Sequence, residues 1–365
     1  MHIAFFGSSL VSAYWNGAAT YYRGIVRALA ERGHRVTFYE PDAYDRQRHR
    51  DIPDPEWARV VVYAGEGEAG VYQALEAARG ADLVVKASGV GVFDALLERE
   101  VLALRAPTTL VAFWDVDAPA TLARVHDDPA DPFRPLVPDY DLVLTYGGGD
   151  PVVAAYAALG ARQCVPVYNA LDPATHFPVP AEARFACDCV LLANRLPDRE
   201  ARIGEFFFGA AERAPGRRFL LGGNGWQGHG MPPNVGYVGH VYTADHNAVN
   251  ASATAVLNVH RDSMVRNGWS PATRLFEAAG AAACQITDAW RGIEEFLEPG
   301  TEVLVAEDGA AVAAQLEALT PERARAIGRA AYRRVLAEHT YAHRARQLEQ
   351  VLDGAQPVLA GGALG

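Results

Sequence analysis

Residues 270–280 combine a helix start with two charged side chains that could bind a nucleotide. Pro271 favours the first turn of a helix, and Arg274 and Glu277 are three residues apart, so both project from one helix face near its N-terminus. That end of a helix favours anions, a guanidinium can form paired hydrogen bonds with phosphate, and a carboxylate can accept hydrogen bonds from a ribose diol. The segment therefore predicts a site for a sugar nucleotide. The alternative is a surface ion pair between the two side chains.

A second pair of cations follows a predicted strand at 190–193. Arg195 and Arg199 are four residues apart at a strand-to-helix junction. Two guanidinium groups at such a junction suit a diphosphate in an otherwise acidic protein. The alternative is that each forms a solvated charge pair with Asp198 or Glu200.

Glycine-containing loops follow two further predicted strands, at residues 222–226 and 236–241. Gly223 and Gly225 allow the backbone to approach a ligand closely. His240 could contact phosphate or a sugar, and the alternative is a loop histidine whose hydrogen bonds are satisfied within the protein.

Small residues also follow the first predicted strand. Ser8, and later Asn16 and Gly17, precede a helix and offer amides that could cradle phosphate or a sugar. The alternative is a simple turn before that helix. A nicotinamide-dinucleotide site would pair Gly7 with Glu40, but serines at positions 9 and 12 break the G-x-G-x-x-G pattern.

Composition limits the classes of protein to be considered. The chain has 365 residues, enough for two domains, and its net charge of −11 argues against a general nucleic-acid binder. It lacks the ~20 consecutive apolar residues of a membrane span, and residues 1–7 lack a basic region and a cleavage site, so we expect a soluble cytoplasmic protein. The four cysteines indicate buried thiols. Because neither cysteines nor histidines show metal-ligand spacing, we expect no metal site and no cofactor.

Short apolar runs alternate with helical patterns, which is typical of parallel sheets joined by crossover helices. This alternation predicts one doubly wound domain over 1–168 and a second over 181–338. Residues 169–180, with three prolines and no periodicity, are predicted to be a linker. A helix in 339–365 is expected to pack back on the first domain, with a tail that frays at 361–365. The predicted strands are 2–6, 35–39, 60–63, 83–86, 109–113, 142–145, 164–167, 190–193, 219–221, 235–238, 255–259, 285–287 and 303–305.

Taken in chain order, the charged and glycine-containing segments resemble those of glycosyltransferases with the GT-B fold. They are most similar to the CgeB-like, or spore-maturation-protein-like, glycosyltransferases. The resemblance covers nearly the whole chain and is most specific over 235–305. The residues that carry it are Asn194, Arg195, Asp198, Arg199, Gly223, Gly225, Trp226, 237–240, 274–279, 287–288 and 298–305, and in the first half 114–119 and 145–149.

The resemblance implies an α/β protein with two Rossmann-like domains facing a cleft. The second domain would bind a nucleotide-diphosphate sugar and the first an unknown acceptor, with transfer independent of metal because guanidinium groups neutralise the leaving group. Trp269 stands where many retaining GT-B enzymes have a second glutamate, so the stereochemistry is not predicted. The implied donor contacts are Arg195, Arg199, Gly223, Gly225, Trp226, His240, Arg274, Glu277 and Asp288, and the acceptor contacts are Ser8, Asn16, Gly17 and Asp115.

Asp115 and Asp117 form a D-x-D pair after an apolar strand, which is also how GT-A glycosyltransferases bind a divalent metal. A single-domain GT-A enzyme would not need the second series of strands that carries the Arg and Glu residues. We therefore expect Asp117 and His240 to act in catalysis, with Asp117 taking the proton of the acceptor hydroxyl. The alternative for Asp117 is capping of the following helix.

Two other functions use the same diphosphate contacts. One is a UDP-sugar 2-epimerase-like GT-B enzyme, which needs no acceptor. The other is a non-catalytic sugar-nucleotide-binding protein, which the missing second glutamate favours. The sequence does not identify the base, the sugar or the acceptor, because these depend on the shape of a pocket.

Overall fold

The chain folds into two compact units in a computed structural model that describes residues 1–14 and 16–355. The first unit consists of Met1–Tyr168 and the described residues from Tyr341 onward, and the second of Asn169–Thr340. The tail predicted at 361–365 lies outside the described residues. Each unit contains a parallel sheet in which most connections between strands contain a helix, which confirms the α/β prediction.

In the described part of the first unit, seven parallel strands form a sheet of order β3-β2-β1-β4-β5-β6-β7. The aromatic side chain of Phe5 stacks on Phe38 at 5.1 Å and contacts Trp114 at 5.7 Å between ring centroids, so neighbouring strands share one core. The strands are β1 (His2–Phe6), β2 (Arg35–Asp42), β3 (Arg59–Ala64), β4 (Leu83–Ala87), β5 (Leu110–Asp115), β6 (Leu142–Thr145) and β7 (Cys164–Pro166). The helices are α1 (Ala19–Glu31), α2 (Ala69–Ala77), α3 (Asp94–Glu100), α4 (Ala118–Asp127) and α5 (Gly149–Ala158).

The second unit has six parallel strands in the order β10-β9-β8-β11-β12-β13, counted over its described residues. Helix α6 continues into α7 through a π-helical segment, Gly204–Phe208. The strands are β8 (Cys187–Leu192), β9 (Phe219–Gly222), β10 (Val235–Tyr237), β11 (Ala253–Asn258), β12 (Gln285–Asp288) and β13 (Leu304–Ala306). The helices are α6 (Pro197–Ile203), α7 (Gly209–Arg213), α8 (Thr243–Ser252), α9 (Asp262–Asn267), α10 (Thr273–Gly280), α11 (Gly309–Ala318) and α12 (Pro321–Glu338).

The segment 169–180, predicted as a linker, instead packs within the second unit. Asn169 donates a side-chain hydrogen bond to the Pro271 carbonyl at 3.1 Å, and Asn247 donates to the Thr175 carbonyl at 2.9 Å. Prolines prevent regular structure here, but side-chain hydrogen bonds still fix the segment. A segment without a periodic apolar pattern can therefore still pack as part of a domain.

The last helix, α13 (Tyr341–Gly354), belongs to the first unit, where it packs on α1. Gly24 of α1 permits this contact, since a Cβ there would lie 2.1 Å from the Tyr341 ring. The Glu349 carboxylate accepts hydrogen bonds from Arg32 at 2.5 Å and pairs with His34 at 2.9 Å.

None of the helices in residues 1–14 and 16–355 combines the length and the apolar composition that crossing a membrane requires.

Candidate functional site

The carboxyl edge of the second sheet gathers the charged residues that the sequence analysis selected. The chain runs outward from β8 through β9 to β10 and then returns to the other side of β8 with β11, which makes the gap between β8 and β11 a topological switch point. Ligands of doubly wound sheets bind at the carboxyl ends of strands beside such a point. Helix α6 follows β8 and carries Arg199, while α10 precedes β12 and carries Arg274 and Glu277.

Arg199 and Arg274 form a pair of guanidinium groups at this edge. Burial, and then the charge of Arg274, lowers the pKa of Arg199 to about 10. Burial also lowers the pKa of Arg274. Among the described residues, neither group has a carboxylate within ion-pair distance, and the buried Arg199 Nε and Arg274 Nη1 have no hydrogen-bond partner. Two neighbouring cations in this state favour binding of an anion between them.

The Glu277 carboxylate lies in the same region and is 7% exposed. Its closest ion-pair partner is His246, whose Nδ1 is 4.0 Å from Glu277 Oε2. Burial alone would raise the pKa of Glu277, but His176, His246 and Arg274 outweigh burial and hold this pKa below its usual value. No described residue donates a hydrogen bond to the carboxylate, so an ionised acceptor is available to a ligand.

The alternative of a surface ion pair between Arg274 and Glu277 does not describe this helix. Glu277 is buried, and the described ion pairs include none between the two residues. They share a helix face, as predicted from their spacing, but that face is turned inward.

Arg195 differs from Arg199 and forms the charge pair that was its alternative. Arg195 Nη2 is 2.7 Å from Glu200 Oε1, and its side chain is 39% exposed. Asp198 pairs with Arg261, which follows β11. Arg195 was predicted to share a diphosphate with Arg199, but it has a carboxylate partner, whereas Arg199 and Arg274 have none among the described residues.

The glycines after β9 serve the packing of two loops. Gly223 has a φ of +133°, and a Cβ there would lie 2.1 Å from the Ala193 carbonyl oxygen. Gly225 has a φ of +86° and faces Arg195. Trp226 is 1% exposed and donates its indole N–H to the Ala193 carbonyl at 2.7 Å. These contacts correct the predicted donor role of Trp226, because a side chain in the core cannot stack on a ligand.

Asp288 is also buried rather than open to a donor. It accepts hydrogen bonds from Arg202 Nη2 at 2.6 Å and His260 Nδ1 at 2.7 Å, and it is 0% exposed. The other ring nitrogen of His260 accepts from the Ala272 amide at 3.3 Å, next to the start of α10. Asp288 therefore fixes the tautomer of His260 and, through it, the helix that carries Arg274. The sequence analysis missed His260, although its position after β11 offered a signal.

His240 is exposed at the carboxyl end of β10. Its Nδ1 is 3.3 Å from the Asn224 side-chain nitrogen, and its ring contacts Tyr242 at 4.6 Å between centroids. Tyr242 is 65% exposed and was not selected from the sequence. This loop presents an imidazole, an amide and an aromatic ring at the carboxyl edge of the second sheet.

In the first unit, the predicted acceptor residues Ser8 and Asn16 satisfy one another. Ser8 Oγ donates to Asn16 Oδ1 at 2.9 Å, and Asn16 Nδ2 donates to the Ser9 and Ser12 carbonyls at 2.8 and 3.0 Å. Both residues are buried, whereas Gly17 is exposed. The predicted contacts of Ser8 and Asn16 with an acceptor are corrected to internal loop contacts.

Glu40 holds the same loop in place, and it does not have the open position that a nicotinamide-dinucleotide site would need. Its carboxylate accepts hydrogen bonds from Ser9 Oγ at 2.9 Å, the Leu10 amide at 2.6 Å and Gln47 Nε2 at 2.6 Å. With these contacts and 0% exposure, Glu40 is not available to a ribose.

Asp115 and Asp117 have different environments although they are two residues apart. Asp115 is 1% exposed and accepts hydrogen bonds from Ser88 at 2.8 Å, Thr121 at 3.0 Å and Tyr156 at 2.5 Å. Burial raises the pKa of Asp115 despite these bonds. Asp115 is therefore corrected from an acceptor contact to a structural residue, and a D-x-D metal site is not formed. Asp117 is half-buried at the N-cap position of α4, yet its side chain makes no capping hydrogen bond to that described helix.

Within residues 1–14 and 16–355, one group of side chains could hold a metal ion. His176, His246 and Glu277 each offer a ligand atom, and these atoms all lie within 4.8 Å of one another. Burial, with Arg274 and His176, lowers the pKa of His246 to about 4 against the opposing effect of Glu277. The sequence analysis predicted no metal site because these residues come from three distant segments and show no motif spacing.

Part of the chain, mostly in the second unit, matches a known protein family. Residues 195–350 match a family model described as glycosyl transferase-like. A search of curated protein sequences finds no match.

Solved structures resemble the chain over nearly its whole length. Sucrose-phosphate synthase from Thermosynechococcus elongatus is 15% identical, with 97% of this chain and 98% of that chain covered and a TM-score of 0.71. Anabaena HepE in complex with UDP and glucose is 14% identical, with 97% and 100% covered and a TM-score of 0.69. T4 phage BGT in complex with UDP-glucose is 11% identical, with 97% and 100% covered and a TM-score of 0.60. At these identities the similarity shows the fold, and the predicted GT-B fold is confirmed.

Proposed function

We propose that this chain, a glycosyltransferase with the GT-B fold, uses a uridine diphosphate sugar as donor and transfers its glycosyl group to an acceptor hydroxyl. The transfer of sugar from a nucleotide sugar follows from the glycosyl transferase-like match over 195–350 and the fold. The choice of uridine is supported by the UDP and UDP-glucose bound to HepE and BGT. The motifs at 194–199 and 274–279 support a place among CgeB-like enzymes.

The observation that carries the donor site is the pair of guanidinium groups without carboxylate partners. Arg199 and Arg274 would bind the diphosphate, because an anion relieves the repulsion between them and accepts hydrogen bonds from their unpartnered nitrogens. Glu277 would accept hydrogen bonds from the ribose diol, since its ionised carboxylate has none from the described protein.

We propose that the same two arginines also accelerate the reaction. As the bond between the sugar and the diphosphate breaks, negative charge grows on the phosphate oxygens, and fixed guanidinium groups stabilise that charge without reorganising. We therefore propose that transfer needs no metal ion and no cofactor. The leaving group departs as UDP, and the new bond forms between the anomeric carbon and the acceptor oxygen.

Asp117 is the proposed base that takes the proton of the acceptor hydroxyl. It is half-buried, whereas the neighbouring Asp115 is enclosed by its own hydrogen bonds. A carboxylate that is accessible at the end of a parallel strand suits this task. A transfer rate unchanged in Asp117→Asn would rule out the role.

The acceptor is proposed to be a molecule other than nucleic acid. The net charge of −11 disfavours a polyanion. Transfer to a panel of sugar, lipid and peptide hydroxyls, with DNA included, would identify the class directly.

The donor site is tested by nucleotide binding to the full-length protein without added metal. Thermal unfolding is followed with UDP, GDP, ADP, CMP and dTDP, and the diphosphate that stabilises most is then compared with its 2′,3′-dideoxy form by calorimetry. We expect wild-type protein to bind UDP about 10- to 100-fold more tightly than dideoxy-UDP, since hydrogen bonds to a charged group contribute about 1.5–3 kcal/mol. In Glu277→Gln this preference should nearly disappear.

The assignment would be contradicted if no nucleotide raised the unfolding temperature. It would also be contradicted if Glu277→Gln preferred UDP over dideoxy-UDP as strongly as wild type does. Donor consumption is then measured with and without acceptors. Release of UDP that depends on an acceptor supports transfer, whereas slow acceptor-independent release supports the epimerase-like alternative, and binding without turnover supports a non-catalytic protein.

A further inference from the structure

The second unit contains a cluster of side chains that could bind a metal ion, and the proposed transfer reaction uses only one of them, Glu277. His176 precedes β8, His246 lies on α8 and Glu277 lies on α10. Their ligand atoms are all within 4.8 Å of one another, and the two imidazole rings are 5.9 Å apart between centroids with 29° between their planes. Three elements of one compact unit thus direct two nitrogens and one carboxylate to a common point.

A second observation indicates that this point is made for a ligand. His176 is 2% exposed, and its Nε2 is buried without a hydrogen-bond partner among the described residues. A buried polar atom without a partner is costly, and native structures rarely retain one without a reason. The Glu277 carboxylate likewise accepts no hydrogen bond from the described chain and is only 9% exposed in its side chain.

The chemistry of the ligands narrows the choice of ion. Two imidazoles and one carboxylate suit divalent transition metals such as Zn²⁺, whereas Mg²⁺ and Ca²⁺ prefer oxygen ligands. Ligands of a tetrahedral zinc ion, at about 2.1 Å from the metal, are about 3.4 Å apart. The ligand atoms of the observed group lie within 4.8 Å of one another, so metal binding would have to draw them closer together. Such a set of three leaves a fourth position open for water.

We propose that His176, His246 and Glu277 form a binding site for one divalent transition metal ion of the Zn²⁺ type. If Glu277 also binds the donor ribose, a point that rests on the proposed function, the ion and the nucleotide compete for the same carboxylate. Metal binding then switches off donor binding, and by linkage the nucleotide weakens metal binding by the same factor. The metal is an inhibitor in this scheme and takes no part in the transfer.

The test begins with the metal alone. Full-length protein is treated with a chelator, desalted and titrated with ZnCl₂ in a calorimeter without nucleotide. We expect one equivalent to bind in wild-type protein. His176→Asn and His246→Asn should each weaken binding by more than about 100-fold, because losing a ligand exceeds the loss caused by residues that merely orient one. His126→Asn, on the exposed face of α4 in the first unit, is the matched control and should bind as wild type does.

Cobalt substitution checks which atoms bind. Co²⁺ in this site should give visible absorption from nitrogen and oxygen ligands without a thiolate charge-transfer band, since the cluster of His176, His246 and Glu277 contains no cysteine. Thermal unfolding of each metal-free variant shows whether it is folded. Absence of stoichiometric binding in wild-type protein, or wild-type affinity in folded His176→Asn, would overturn the proposal.

Competition with the donor is measured separately, so that the two proposals can fail independently. In wild-type protein Zn²⁺ should weaken UDP binding, and in His176→Asn it should not. Arg274→Met should retain Zn²⁺ binding while losing UDP affinity. If UDP binds to no variant but Zn²⁺ binding still depends on His176 and His246, the metal site stands and the donor site fails.

Discussion

Arg274→Met is expected to lower kcat/KM for the nucleotide sugar by about 100- to 1,000-fold, the range for removal of one group that stabilises developing negative charge. Methionine keeps the apolar length of the side chain and removes only the guanidinium. The ligand-free variant should unfold at a temperature no lower than wild type, because it loses one of two neighbouring cations that repel each other. Loss of activity together with unchanged or higher stability distinguishes a ligand-binding cation from a structural one.

The measurement is steady-state transfer combined with thermal unfolding in the absence of nucleotide. Arg195→Met is the matched control, since Arg195 carries the same group in the same unit but pairs with Glu200 at the surface. We expect only a few-fold change for it, in keeping with a surface ion pair. If Arg195→Met lowered kcat/KM as much as Arg274→Met does, the diphosphate contact would be assigned to Arg195 and Arg199, the pair predicted from the sequence.

Asp288→Ala is expected to destabilise the second unit by about 3–5 kcal/mol, the cost of removing one partner from a buried ion pair. The carboxylate is 0% exposed and contacts both Arg202 at 2.6 Å and His260 at 2.7 Å. Its removal leaves Arg202 of α6 without its shortest ion pair and the His260 imidazole N–H without its acceptor. Nucleotide binding should weaken as well, because Arg274 and Glu277 lie on that helix.

Urea unfolding measures the stability loss, and hydrogen exchange of the amides in β11 and β12 places it in the second unit. Asp262→Ala is the matched control, because Asp262 is 3.5 Å from the same Arg202 but its side chain is 50% exposed. A surface pair of this kind contributes about 0–1 kcal/mol. Equal losses for Asp262 and Asp288 would contradict the structural role given to Asp288.

The effect of Asp288 also has a defined pH dependence. Burial alone would raise the pKa of Asp288, but His260 and Arg202 hold it below its usual value. The stabilisation is therefore complete above the pKa of an unfolded aspartate, about 3.9, and is lost as pH falls through the lower pKa of the folded state. The difference in stability between wild type and Asp288→Ala should narrow over that acidic range and stay constant above it.

The proposed metal site and the proposed donor site share Glu277, and we therefore propose that metal binding controls donor binding. The Glu277 carboxylate lies within ligand distance of His176 and His246 and on the same helix as Arg274. In the proposed donor-bound state this carboxylate accepts hydrogen bonds from ribose hydroxyls, and in the metal-bound state it supplies the anionic ligand.

The sequence by itself determined the α/β architecture and the helix that presents Arg274 and Glu277. Strands such as 2–6 and 142–145 were predicted with the bounds that the structure has. Both successes rest on local physics, because apolar periodicity is set by neighbouring residues, and a spacing of three places two side chains on one helix face.

Only the tertiary structure decided which charged residues are available to a ligand. Arg195 and Arg199 look equivalent in sequence, as do Asp115 and Asp117, yet Arg195 pairs with Glu200 at the surface and Asp115 is fully buried with a hydrogen bond from Tyr156. The separation arises because burial and hydrogen-bond partners come from distant segments, as Tyr156 does for Asp115. Tertiary packing also brings together residues that no motif connects. The ligand atoms of His176, His246 and Glu277 come from three distant segments and lie within 4.8 Å of one another.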